Sequence, residues 1–384
     1  MNDLHVLVIG PRRGLVDELR ERRIPFSLWQ QRAFFNVAVG EKSVVAPLWS
    51  SPEKIREQIR KSFAGKKFSH VIAGTESAVL PAAVARRQLG ARLSSAATGT
   101  RCRDKLLMKQ FLAGFGILMT RFLAESEAND AQQVFATLGV PVVRKQRKSS
   151  GGRGLQLLYT PAELMQGKTG HCLLERFIDA PELSVESFID RGRIRFASIT
   201  DYHRKGHCNF VPAVLEPELE KTLLALNERV ISALGISWGM THLEVYLTER
   251  GPLFGEIALR PPGGYIMNAI THAWDFNPWA AFLAMELGEP FAFPARPVGY
   301  AASEVLHPGA GRVRSIRGKT QVLDEQGIRE FRLKLKQGDT VAPRAALGQD
   351  TGYIVHVSAT PAQRLALHQR IGQQLVIDLE PVDA

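Results

Sequence analysis

The stretch that decides the fold is His242-Leu-Glu-Val-Tyr-Leu247, then Thr248-Glu-Arg-Gly-Pro252, then Leu253-Phe-Gly-Glu-Ile-Ala-Leu-Arg260. Its first part alternates strictly: Leu243, Val245 and Leu247 share one face of a strand, and His242, Glu244 and Tyr246 the other. Gly251 suits the left-handed position of a short hairpin loop. Centring the hairpin on Arg250 sets Glu244 opposite Glu256, each six residues from the centre. Facing carboxylates repel unless a cation bridges them. An oxygen-only ligand pair points to Mg²⁺ (or Mn²⁺), which also travels with nucleotide phosphates. Period two places Arg260 beside Glu256, where it can hold an anionic substrate group. The competing reading is two solvated acids with Arg260 as counter-charge. The apolar framing of both strands weighs against it.

Two upstream segments fit this picture. Pro141-Val-Val-Arg-Lys145 delivers a lysine from a β-rich stretch into Gln146-Arg-Lys-Ser-Ser-Gly-Gly-Arg-Gly154. Five cations and no acid lie within residues 144–153. Glycines there let backbone N–H groups approach an anion, so the segment suits a polyphosphate, although GxxxxGK[ST] is absent. A mobile hairpin with a solvated charge run is the equal alternative. Next, Leu173-Leu-Glu175-Arg-Phe-Ile178 and Glu182-Leu-Ser-Val-Glu186 offer an edge for a purine, with Phe177 and Ile178 as apolar walls and Glu182 for ribose hydroxyls. An ordinary strand pair explains that second segment better when it is taken alone. His203, Lys205 and His207 fall on an expected loop near the site, and a solvated or core role is favoured for each histidine. His242 reads as a polar residue at a strand end rather than a base.

Around this centre the 384 residues divide into three parts. Strands at 4–9, 37–39, 44–46 and 70–73 alternate with helices after Gly10, at 52–63 and at 77–89, which predicts a small parallel α/β unit over 1–97. Residues 98–294 open with a helix over 103–113, continue as glycine-interrupted strands to about 262, and close with a helix over 278–287. Residues 295–384 read as a small mixed domain with a late helix at 361–374. Hydrophobic residues make up 45% of the chain, enough for full cores, and no run approaches the ~18 apolar residues of a membrane helix. No signal peptide is evident, and Cys102, Cys172 and Cys208 form no CxxC, so free thiols in a reducing cytoplasm are expected. The net charge of +11 raises a nucleic-acid reading. The excess is regional, however: 16 basic against 8 acidic residues over 1–97, 21 of each over 98–294, and 12 against 9 beyond. No cation run or aromatic interleaving accompanies it, and the nucleic-acid reading is set aside.

Taken in order, these motifs resemble the ATP-grasp superfamily of carboxylate–amine ligases, from about Arg101 to about Ile270. The resemblance implies a mixed α/β and α+β architecture: an ATP-grasp fold with an N-terminal parallel α/β domain and a small C-terminal mixed domain. It also implies roles. Lys105, Lys145, Lys148, Ser150, Gly151, Gly152 and Gly154 would hold the phosphates of ATP. Glu175, Phe177 and Ile178 would form the adenine hinge, and Glu182 would meet the ribose. Glu244 and Glu256 would bind Mg²⁺, and Arg260 with Lys145 would act on the reacting groups. The segment Glu256-Ile-Ala-Leu-Arg-Pro-Pro-Gly-Gly264 is most similar to ligases joining amino acids or other amines to carboxylates through an acylphosphate, with a homodimer as the superfamily's habit. Ala258 replaces the family asparagine, removing one oxygen ligand from the second metal position. The alternatives are a carboxylating enzyme, biotin carboxylase-like or purine-biosynthesis-like, and a non-catalytic ATP-binding module.

Overall fold

The computed structural model describes residues 4–49, 51–91, 96–346 and 348–381. The N-terminal unit is a four-stranded parallel sheet in the order Ser43–Val45, Phe26–Gln30, Val6–Ile9, His70–Ala73. Three of its strands are buried throughout, and Val6–Ile9 and His70–Ala73 accordingly read as near-continuous apolar runs, whereas Ser43–Val45 is a largely exposed edge. Helix Pro52–Phe63 starts with Pro52 in its first turn, and the Ser51 hydroxyl accepts from the Lys54 N–H. It buries Ile55, Ile59 and Phe63, spaced by four, against the sheet. Each such side chain contributes about 1.5–3 kcal/mol by leaving water.

One expected strand is missing here and one unexpected strand is present. Residues 37–39 form no strand; they run as coil into the Gly40 turn. The strand beside Val6–Ile9 is instead Phe26–Gln30, whose polar members concealed it. Ser27 donates to Glu41 Oε2 at 3.0 Å, and the buried Gln30 amide ties the backbone of Phe34 and Phe35 to Ser43.

The next unit is a smaller antiparallel sheet in the order Phe122–Ala124, Cys172–Arg176, Val142–Gln146, Gln156–Leu158, backed by helices Ala131–Leu138 and Pro161–Met165. Helix Lys105–Ala113 lies beside it, with the Asp104 carboxylate accepting from the N–H groups of Leu106 and Leu107. The eight-stranded sheet runs Gly251–Ala258, Trp238–Thr248, Glu182–Asp190, Arg193–Arg204, Cys208–Val211, Tyr300–Leu306, Gly352–Ser358, Ile328–Leu333. Its last three strands lie beyond residue 294, so backbone hydrogen bonds run across that proposed boundary. A three-stranded sheet of Thr340–Val341, Gly311–Arg317 and Val376–Glu380 completes the C-terminal part.

The region up to 262 is not strands alone. Helix Pro217–Leu234 covers one face of the large sheet and buries Leu223, Leu226, Asn227, Val230, Ile231 and Leu234. That spacing of three and four is a full helical stripe. A further helix, Ile266–Trp274, follows the hairpin strand. No helix among the described residues is long and apolar enough to cross a membrane.

Candidate nucleotide and metal site

The hairpin places Glu244 directly opposite Glu256, by a route the residue count does not reveal. The turn is tighter than one centred on Arg250: Thr248 pairs with Gly251, and Val245 with Phe254. Between Val245 and Glu244 the register shifts by one, because Gly255 is the extra residue of a β-bulge. The bulge restores the pairing Glu244↔Glu256 and, beyond it, His242↔Ala258. A Cβ on Gly255 would stand 2.9 Å from the Glu244 carbonyl oxygen and 3.2 Å from Tyr246 Cε2, so the bulge needs glycine. Gly251 carries the φ of +101° expected of it.

Each acid of the pair has a cationic neighbour. Lys105 Nζ lies 2.9 Å from Glu256 Oε1 and donates to the Ser149 carbonyl at 2.7 Å. His242 Nε2 lies 3.4 Å from Glu244 Oε1, and its Nδ1 lies 2.8 Å from Glu186 Oε1. Glu186 is fully buried and also accepts from Ser184 Oγ and Thr200 Oγ1, both at 2.6 Å. Burial opposes charge on His242, but hydrogen bonds to Glu186 and Glu244 outweigh it and raise its pKa to about 9. Glu244 is correspondingly held below the usual carboxylate range: burial opposes this, and the His242 contact prevails. His242 thus lies buried in mid-strand between two glutamates that favour its charged form, rather than at a strand end as the sequence suggested.

The second cluster is built on Glu175. Its carboxylate is buried between Lys109 Nζ at 2.7 Å, Lys145 Nζ at 2.6 Å and Thr120 Oγ1 at 2.9 Å. Burial alone would raise the Glu175 pKa, yet the two lysines hold it far below the ordinary range. Lys145, in turn, is desolvated but held charged by Glu175. The Glu175 side chain therefore fixes Lys145. Phe177 next to it is exposed, and Ile178 half-buried. Lys109 and Thr120 escaped the sequence reading. Lys109 is four residues from Lys105 on one helix, and that face relation was a readable signal.

The loop after Lys145 is held at its root. Arg147 makes a bidentate contact with Asp104 at 2.9 and 2.8 Å, and Arg103 donates to the Lys148 carbonyl at 2.6 Å. Gly151, Gly152 and Gly154 have φ of +64°, +71° and +71°, a backbone that side chains resist. Lys205 reaches Glu182, whereas His203 stacks on Phe210 and His207 lies 3.4 Å from Arg344 Nη1. Of that triplet only Lys205 joins the site.

Arg260 points toward the N-terminal unit. Its Nε lies 3.0 Å from Glu76 Oε2, and Arg103 Nη1 lies 3.7 Å from Glu76 Oε1. Arg12 and Arg260 both donate to the Pro261 carbonyl, at 3.2 and 2.8 Å. Burial, then Arg260, pushes the Arg12 guanidinium down to about 10. Glu76 and Arg12 were not readable from sequence, since 184 residues separate Glu76 from Arg260.

Lys105 at the head of its helix thus touches both Glu256 and the glycine loop, with Lys145 on the adjoining small sheet, and the comparisons with known proteins bear on this arrangement. The ATP-grasp domain family matches residues 110–270, so that stretch carries an ATP-grasp domain. Residues 305–380 match the L-amino acid ligase C-terminal domain 2. The chain is 25% identical over 340 residues to an L-arginine-specific L-amino acid ligase of Bacillus subtilis, covering 80% of this chain and 82% of that one. It is also 25% identical over 297 residues to the uncharacterized protein y4rH of Sinorhizobium fredii, covering 73% of this chain and 62% of that protein's length. The crystal structure of an L-amino acid ligase from Bacillus licheniformis has the same fold, with a TM-score of 0.82 at 19% identity, over 99% of this chain and all of that one.

Proposed function

We propose that this chain is an ATP-dependent carboxylate–amine ligase that joins two amino acids. One carboxylate is activated as an acylphosphate, an amine captures it, and ADP and phosphate leave. The observation that carries the reading is the Glu244–Glu256 pair, matched across the hairpin by the Gly255 bulge and bordered by Lys105. Its donor set suits a hard divalent cation: two carboxylates face one another, and an ammonium already sits against one of them. Mg²⁺ held there would neutralise charge on the nucleotide phosphates.

The remaining roles belong to the chain's own groups. Lys105 and Lys145 are charged, pre-positioned donors for phosphate oxygens, Lys145 because Glu175 fixes it. Lys148, Ser150, Gly151, Gly152 and Gly154 line the loop that closes over the phosphates and excludes water, which would otherwise hydrolyse an acylphosphate. Phe177 and Ile178 offer the apolar surface for adenine, and Glu182 the acceptor for ribose hydroxyls. Arg260, anchored by Glu76, and Arg12 converge on the Pro261 carbonyl, and we assign them to the carboxylate that becomes activated. No nucleophilic side chain is required. Substrates are small molecules, with no part for nucleic acid or membrane; a cytoplasmic homodimer and domain boundaries near 97 and 294 complete the proposal.

The test is ADP release with Mg-ATP across pairs of L-amino acids, with the amide product identified by mass. ADP formation matched by a dipeptide in at least one pair supports the proposal. Tight nucleotide binding without turnover in any pair overturns it in favour of an ATP-binding module.

A further inference from the structure

Away from the nucleotide site, the large sheet carries a cluster of different chemistry. Cys208 and Glu304 are register partners on adjacent strands, and His368 projects onto them from helix Pro361–Gln374. Sγ of Cys208 lies 3.7 Å from His368 Nδ1, and His368 Nδ1 lies 2.5 Å from Glu304 Oε1. The three ligand atoms lie within 4.8 Å of one another, and Cys208 and Glu304 are buried. Behind Glu304, His356 Nε2 stands 3.4 Å from the same oxygen. His356 is itself fully buried, and its Nδ1 has no hydrogen-bond partner among the described residues. No other group of three such ligands converges this closely among the described residues.

We propose that Cys208, Glu304 and His368 bind a borderline transition-metal dication of the Zn²⁺ kind, at a site separate from Glu244 and Glu256. One sulfur, one imidazole nitrogen and one carboxylate oxygen are the mixed donor set such ions take, and Mg²⁺ does not favour it. Metal–sulfur and metal–nitrogen bonds of about 2.3 and 2.0 Å at a tetrahedral angle set sulfur and nitrogen about 3.5 Å apart. The Cys208–His368 separation already matches this. The His368–Glu304 hydrogen bond has to open by about 0.8 Å to become two metal bonds. Water completes the fourth position, and His356 holds the carboxylate from behind. On binding, the Cys208 thiol gives its proton to solvent as the metal–sulfur bond forms. Only the thiolate binds the metal, so protons compete with it for this sulfur.

The position gives the site a consequence. Asn209, next to Cys208 and on the opposite face of the strand, donates to the Gly264 carbonyl at 2.9 Å, as does Ser303, next to Glu304, at 2.8 Å. A metal joining Cys208 to Glu304 staples the two strands that support the Gly263–Tyr265 turn below Arg260.

The probe is Co²⁺ titrated into the metal-stripped full chain at pH 8, followed by absorption. The expected result is one equivalent bound with a near-ultraviolet thiolate-to-cobalt band, displaced by Zn²⁺ and untouched by excess Mg²⁺. C208S loses the band, H368A weakens affinity at least tenfold, and E256Q retains the band in full, which separates this site from the proposed nucleotide metal. Melting of the metal-free variants checks that they fold, and Zn²⁺ raises the melting temperature of the wild type and of E256Q but not of C208S. Absence of the band in the wild type overturns the proposal, as does its survival in C208S, which would implicate Cys102 or Cys172.

Discussion

Two carboxylate clusters lie on either side of the proposed nucleotide cleft, and they are built to opposite rules. Glu175 is one acid with two lysines and a threonine hydroxyl, all buried except the partly exposed Lys145. Glu244 and Glu256 are two acids facing one another, with one lysine and a histidine that is itself shared with Glu186. The first arrangement leaves Glu175 no capacity for a ligand; its work is to hold Lys145 still. The second leaves acceptor oxygens with no committed donor, at a place where a further cation lowers the energy. Acidity alone therefore does not mark a metal site. The ratio of acids to resident cations does.

The comparison can be broken by substitution. E256Q should lower ADP formation by about a thousandfold, because metal charge stabilisation is worth several kcal/mol. Its folding transition should stay close to wild type, since neutralising one of two facing acids relieves their repulsion; near-normal turnover would show the metal assignment to be wrong. E175Q should behave in the opposite sense. It leaves two buried lysines without a counter-charge and should cost about 3–5 kcal/mol of stability, read from urea unfolding. A loss under 1 kcal/mol would mean that the lysines do not depend on Glu175.

G255A sharpens the point about the bulge. Its Cβ meets the Glu244 carbonyl first, which no side-chain rotation relieves, so the strand must shift, at about 1–3 kcal/mol, with the acids drawn out of register. Turnover should fall more than tenfold even where the variant remains folded; unchanged turnover would show that the carboxylates need not face each other. The smallest effect concerns acid. The folded-state pKa of Glu175 lies below its ordinary value near 4.5, so its contribution is complete above that pH and is lost as pH falls toward the folded value. The stability gap between wild type and E175Q should thus be constant above about pH 5.5 and narrow below 4.5. A gap that widens in acid would contradict the pairing.

What the sequence disclosed follows the same division. The hairpin was legible because alternation, a glycine turn and paired acids are local signals. Even so, the symmetric count about Arg250 reached the right pairing by passing over two facts that cancel: a turn one residue tighter and a bulge at Gly255. Lys145 was singled out by the cation-rich loop after it and Lys105 by the family resemblance, and the helix expected from residue 103 begins at Lys105 with Asp104 as its cap. Helix Pro217–Leu234 carried its stripe openly and was passed over amid strands. The clamp on Glu175 was hidden because Thr120 and Glu175 are 55 residues apart and meet only through sheet pairing. Glu76 and Arg12 were hidden more deeply, since they come from a different unit and reach Arg260 only after the units pack.

The most direct measurement is Mn²⁺ binding in the presence of ATP, followed by electron paramagnetic resonance, for the wild type and for the E244Q/E256Q double variant. The account predicts a protein-bound Mn²⁺–nucleotide signal in the wild type that disappears in the double variant while both remain folded. An undiminished signal in the double variant would contradict it.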